Sequence, residues 1–169
     1  GFAVGTYNPA LPLVIDPAVV VSAGWLGGEE RDRGLGIEVD AQRNTYVTGE
    51  FGRNAFVTKI DPTGTRIVWT LEIVAAGGIA AFDIDVDAHG AAYVVGATGS
   101  DETSLPVTGG PDLTYGGGQL DAWVAKVAPE GTDLIYLGYI GGAGADFAEG
   151  VAVDADGAAY VSGDVDSTE

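Results

Sequence analysis

Three aspartates spaced by two, Asp83, Asp85 and Asp87, are followed at once by the only histidine, His89. Alternate residues of an extended segment share one face, so this spacing lines up three carboxylates. Clustered oxygen donors suit calcium, and the three aspartates are the candidate ligands for it. An EF-hand loop beginning at Asp83 would need Gly at its sixth position and Glu at its twelfth. Ala88 and Val94 stand there, so that loop is absent. Asp154 and Asp156 before Gly157 form a shorter candidate, and they read more simply as a turn in which the aspartate caps backbone N–H groups.

Other chemistry is restricted by composition. The 169 residues contain one His and no Cys or Met. Thiol nucleophiles, disulfides and cysteine-bound metals are excluded, and a multi-histidine metal site has no residues to build it. Paired-carboxylate hydrolysis is allowed by 25 acidic residues, yet nothing singles out a pair. No catalytic residue and no bound cofactor is assigned. The formal net charge of −18 repels phosphate and anionic lipid, so nucleic acid is not an expected partner. The charge is uneven. Residues 1–66 carry 6 basic and 8 acidic groups, whereas residues 67–169 carry 1 and 17. No apolar run reaches the roughly 20 residues of a membrane helix, so no membrane insertion is expected.

What positions the aspartates is a repeat. Residues 39–49, 86–96 and 153–163 align without gaps on V-D-A-x-x-x-x-Y-V-x-G. His89 falls on the same turn position as Gln42 and Asp156, which reads as a turn residue rather than a base. A second element occurs twice, at Asn54–Ile60 and Asp121–Val127. Each copy is followed by a Pro- and Gly-containing turn and an apolar segment. Asp40 and Asp87 are 47 residues apart, Asp87 and Asp154 67. The extra length falls in Gly99–Leu120, whose Gly, Ser, Thr and Pro content predicts a surface loop.

Within a unit apolar residues alternate with period two, and no segment keeps a helical period. Four strands are predicted in the first unit, at Gly36–Asp40, Thr45–Glu50, Asn54–Asp61 and Arg66–Val74. The third unit supplies two, at Glu149–Asp154 and Ala158–Val165, and Val19–Leu26 reads as the last strand of a preceding unit. The expected fold is all-β, a partial β-propeller of four-stranded antiparallel blades, about two and three-quarter blades in this chain. A lead-in, 1–18, precedes an array, 19–169, with units near 19–74, 75–140 and an incomplete 141–169. Trp25, Trp69 and Trp123 recur at near-equivalent places, as do Tyr46, Tyr93 and Tyr160. They are expected to pack between blades, while a sugar-stacking platform is the functional alternative. Tyr115, in the long loop, is the aromatic expected to be exposed.

The stretches Gly138–Asp146, Gly150–Asp154 and Gly157–Gly163, with Gly117–Val127 and Leu105–Thr108, resemble the SBBP family, the bacterial beta-propeller repeat. Val4–Asn8 and Pro12–Pro17 resemble the lead-in before the first repeat of such proteins. The second unit departs from the pattern at residues 75–81, and Arg43-Asn44 replaces the Gly-Ala of the other two turns. The resemblance implies an extracellular or cell-surface, secreted bacterial protein, and it carries no catalytic site. The expected role is a non-enzymatic structural or binding module that presents loops. The alternatives are the non-catalytic scaffold of a larger secreted, carbohydrate-active enzyme and a calcium-dependent adhesion module. Fewer than three blades cannot close a ring. Completion by further repeats of the parent chain, by protein partners or by homo-assembly is therefore expected. The lack of methionine, at position 1 and everywhere else, points to a piece of a longer chain.

Overall fold

The computed structural model describes residues 26–27 and 31–167. The expected strand over Val19–Leu26, Trp25 and the lead-in fall outside them, save Leu26. Ten strands follow one another: β1 (Asp32–Val39), β2 (Thr45–Phe51), β3 (Asn54–Ile60), β4 (Ile67–Ile73), β5 (Ile79–Val86), β6 (Ala92–Thr98), β7 (Asp121–Val127), β8 (Leu134–Ile140), β9 (Asp146–Val153) and β10 (Ala159–Val165). They form three antiparallel sheets in sequential order, β1-β2-β3-β4, β5-β6-β7-β8 and β9-β10. The described residues contain no helix. The first strand of each unit is longer than its periodicity indicates. β1 begins at Asp32, not Gly36, because a bulge at Gly34/Gly36 interrupts the alternation that would reveal it.

The sheets stack in chain order, with β5 against β1, β2 and β3, and β9 against β5, β6 and β7. Strand register sorts the residues between faces. Ile84, Val94, Ala125 and Leu137 lie opposite one another across the second sheet, and all four are buried in the core shared with the first. The first sheet contributes Tyr46, Ala55, Val57 and Ile73 to that core. The other face of the second sheet places Val95 and Val124 with Ala148 of β9 in a smaller core. A sheet covered on both sides reads as continuously apolar. That is why β6 is buried at all seven positions, whereas β10 is exposed at six.

The V-x-G end of the repeat has a steric cause. β5 bulges between Ala81 and Asp83, and the corresponding shift in the third sheet falls at Ser162/Gly163. A Cβ on Gly49, Gly96 or Gly163 would stand 1.9 Å from the carbonyl oxygen of Arg33, Ala80 or Phe147 respectively. The bulged strand runs over the glycine, so no side chain fits there.

The 99–120 segment differs from the expected surface loop. Leu105 is only 2% exposed and belongs to the main core. The Thr108 N–H donates to the Leu137 carbonyl at 3.1 Å, and the Tyr139 N–H donates to the Asp112 carbonyl at 2.8 Å. The insertion thus covers the outer edge of β8, where an open strand edge would invite pairing. Tyr115 is half-buried and packs edge-to-face on Tyr139 at 5.8 Å. The tryptophans are not equivalent either. Trp69 of β4 lies opposite Lys59, the place Tyr136 takes opposite Lys126, and Trp123 of β7 takes the place of Phe56.

Candidate functional site

The repeated aspartate organises a turn. Asp40, Asp87 and Asp154 each use Oδ1 to accept the N–H four residues on, from Asn44, Ala91 and Ala158, at 2.8, 3.0 and 2.9 Å. His89 lies in the second turn, exposed, its backbone N–H also donating to Asp87. The fourth turn residue has positive φ in every copy: Arg43 at 68°, Gly90 at 86° and Gly157 at 82°. Arg43 therefore sits in a conformation that glycine adopts without strain.

The second carboxylate oxygen faces the repeat tyrosine. The Tyr46, Tyr93 and Tyr160 hydroxyls lie 3.3, 3.3 and 3.0 Å from Oδ2 of Asp40, Asp87 and Asp154. Two of these hydroxyls also reach the next unit. Tyr46 contacts the Gly90 carbonyl at 3.3 Å, and Tyr93 the Gly157 carbonyl at 3.0 Å. Each hydroxyl has one proton to share between its two acceptors. A lysine from the third strand of the sheet completes the group. Lys59 Nζ is 3.8 Å from Asp40, and Lys126 Nζ is 3.2 Å from Asp87 and bonds the Tyr93 hydroxyl. The ammonium groups lie over the tyrosine rings, at 4.9 and 4.5 Å from the centroids.

These contacts set the charge states. Burial pushes the Asp87 carboxyl up, but the Ala91 N–H, Lys126 and the His89 N–H outweigh it and hold the group below its ordinary value. Asp40 is likewise held low against its burial, by the Asn44 side chain and N–H and by Lys59. Burial, with Asp40 adding to it, raises the Tyr46 hydroxyl well above its ordinary value. The third copy has the Asp154–Tyr160 pair only. Among the described residues no lysine joins it, and Tyr160 is 62% exposed.

The three aspartates singled out for calcium have separate tasks. Asp83 Oδ2 accepts the Val151 N–H at 2.9 Å, and Asp85 Oδ2 accepts the Val153 N–H at 2.6 Å. The two carboxylates stand in for a neighbouring strand along the edge of β9. Asp87 caps its turn and pairs with Lys126. Among the described residues no three His, Asp or Glu side chains gather to hold a metal. Millimolar calcium is accordingly expected to leave the melting temperature unchanged within about a degree. A rise of several degrees that Asp85→Asn abolishes would place a cation there.

One carboxylate stands apart, and composition gave no signal for it. Asp121, 1% exposed, accepts the Gly116 N–H at 2.5 Å through Oδ2, while Oδ1 has no hydrogen-bond partner. Burial, reinforced by Asp146 and Asp112, raises its carboxyl above the ordinary value despite the Gly116 and Gly117 N–H groups. An acid whose folded pKa is raised costs stability above its unfolded value of about 3.9, and the loss is complete once pH exceeds the folded value. Asp121→Asn keeps the acceptor for Gly116 and removes the charge. It is expected to raise the melting temperature at pH 7 and to flatten its decline as pH rises from about 4. Asp40, Asp87 and Asp146, all held low, have the opposite sign. Their stabilisation is present above the ordinary carboxyl value and is lost as pH falls through the folded one, so acid unfolding remains in the variant. Thermal melts of both proteins from pH 3 to 8 check this.

The third sheet leaves an open groove. Its volume is about 360 Å³, and it runs between β10 and the outer strands of the second sheet. The opposite end of the stack also exposes apolar residues, with Ile37 at 67% and Val39 at 52%. No helix among the described residues is long and apolar enough to cross a membrane. No protein-family model matches the chain, and no curated protein matches it.

Proposed function

We propose that this chain is a portion of a β-propeller of the SBBP-like bacterial repeat, acting as a non-enzymatic structural or binding module, secreted or held at the cell surface. The observation that carries the reading is the equivalence of the three units. Turn, tyrosine and bulge glycine recur in each, and the first strands β1, β5 and β9 lie side by side. Propeller blades meet in this way, each sheet stacking on the next with its first strand innermost.

Support for a non-catalytic role comes from how the aspartates of the repeat are used. Asp40, Asp87 and Asp154 build turns, and Asp83 and Asp85 bind the backbone of the next sheet. The buried aromatics Tyr46, Tyr93 and Trp123 pack between sheets and offer no ring to a sugar. The open third sheet is the part that association would complete, through further repeats, another protein or a second copy. Net charge of −18 favours a basic partner surface and disfavours nucleic acid.

Native-state hydrogen exchange tests the reading. In an unfinished end unit the amides of β9 and β10 exchange at least a hundredfold faster than those of β6 and β7. Equal protection in the two sheets would mean that the third is already complete, and the module reading would fall.

A further inference from the structure

We infer that the cleft between the first and second sheets binds a small organic acid, its carboxylate held by Arg53 and its apolar body by the start of β5. The cleft has a volume of about 380 Å³. Arg33 and Arg53 line it from the first sheet, and Ile79, Phe82, Ala97 and Leu120 line it from the side of the second. Apolar walls with a few placed polar groups are the usual make-up of a small-molecule site. The cleft lies between the first two sheets, so it does not depend on how the third is completed.

The cleft falls where the repeat is broken. Asp32, Ile79 and Asp146 open β1, β5 and β9 and share one register position, opposite Phe51, Thr98 and Val165. In the third copy the Asp146 carboxylate accepts the Gly142 N–H of the preceding linker at 2.8 Å. In the second copy an isoleucine takes that place and lines the cleft, so a negative charge has given way to apolar surface. The bulge adds to that surface. Phe82, the residue of β5 left without a partner between Ala81 and Asp83, also lines the cleft. Its counterparts are Leu35 in the first sheet and Glu149 in the third. Departures from a chain's own rule are expected at functional sites.

Arg53 supplies the charge. Its backbone carbonyl accepts the Ile79 N–H at 3.0 Å, and its Nη2 donates to the Gly77 carbonyl at 3.3 Å. The guanidinium lies over Gly78, where a Cβ would stand 3.6 Å from both Nε and Nη2. The group is therefore positioned before any ligand arrives, which lowers the cost of binding. Arg33 is matched by Glu50 at 3.2 Å. Among the described residues Arg53 has no carboxylate partner, and a carbonyl leaves its charge unbalanced. The planar fork of a guanidinium suits a carboxylate. The apolar walls favour an acid with a hydrocarbon body over a bare inorganic anion.

The test titrates the isotope-labelled chain with sodium phenylacetate, with its neutral isostere phenylacetamide and with sodium sulfate, each followed by amide and arginine Nε–H chemical shifts. Phenylacetate is expected to give saturable shifts at Arg53, Gly77–Ala80 and Ala97. Phenylacetamide is expected to bind at least about tenfold more weakly, since the charge-assisted contact is lost. Arg53→Gln is expected to weaken phenylacetate by a similar factor. Arg66→Gln, at the opposite end of β3 from Arg53, is expected to leave it unchanged. Equal binding of acid and amide, sulfate binding as tightly as phenylacetate, shifts elsewhere or the absence of saturable binding would overturn the inference. The comparison of acid with amide uses the parent chain, so it stands even where Arg53→Gln does not fold. The module reading is tested apart from this, by exchange in β9 and β10, neither of which lines the cleft.

Discussion

Gly96→Ala is expected to cost about 3 kcal/mol or more, while Gly34→Ala, in the first strand of the first sheet, is expected to change stability by less than about 1 kcal/mol. Both residues are strand glycines, and composition alone does not distinguish them. A Cβ on Gly34 meets only the Val47 Cγ1, at an ordinary 3.5 Å. A Cβ on Gly96 would be 1.9 Å from the Ala80 oxygen, 2.9 Å from its carbon and 3.0 Å from the Ala81 Cα. These are backbone atoms of β5 at its bulge, so no side chain can rotate away. β5 and β6 would have to separate where Ile79–Ala81 pairs with Gly96–Thr98. Those strands lie at the centre of the stack, where β6 is buried throughout. A cost of this size is a large fraction of the 5–15 kcal/mol that holds a domain folded. Urea unfolding of the two variants beside the parent chain measures it. A Gly96→Ala cost below 1 kcal/mol would mean that the bulge is not where the register puts it.

The same glycine shows what the sequence makes legible. V-D-A-x-x-x-x-Y-V-x-G places an aspartate at a turn, a tyrosine six residues on and a glycine under a bulge. Each task is local to two paired strands, so each leaves a mark at fixed spacing. The all-β class, the six strands placed in the first and third units and the four-strand order of a unit follow from that period. The mark fails when a residue's partner is distant in sequence. Asp83 and Asp85 look like a shared ligand face, because nothing near them in sequence reveals that Val151 and Val153, 68 residues on, donate to them. The 99–120 segment has loop composition, yet Leu105 and the Asp112 carbonyl are engaged by the core and by β8. Asp121 looks like one acid among 25, and only its burial sets it apart. β7 itself was readable, but only as a second copy of Asn54–Ile60.

Trp123→Ala is expected to cost about 3–5 kcal/mol, the range for a fully buried large aromatic. The side chain is 0% exposed and is the largest of the fully buried ones. It faces the first sheet, and its indole N–H donates to the Ala80 carbonyl at 3.2 Å. Trp123→Phe is expected to cost roughly 1–2 kcal/mol, since Phe56 fills the equivalent position of the first sheet but makes no such bond. Trp69, half-exposed on β4, is the internal comparison. Its replacement by alanine removes less buried surface, and the bond to the Pro129 carbonyl at 3.0 Å, and is expected to cost less than half as much. The acceptor gives this prediction its sharper form. Ala80 O is the atom a Cβ on Gly96 would strike, and Trp123 is the residue paired with Gly96 across β6 and β7. Strand separation caused by Gly96→Ala displaces the carbonyl that Trp123 holds. The double variant is therefore expected to lose at least 1 kcal/mol less than the sum of the single variants. Strict additivity would mean that the bulge and the indole act independently. The Ala80 carbonyl would then not be the point through which the β5 bulge and the indole are coupled within the second sheet.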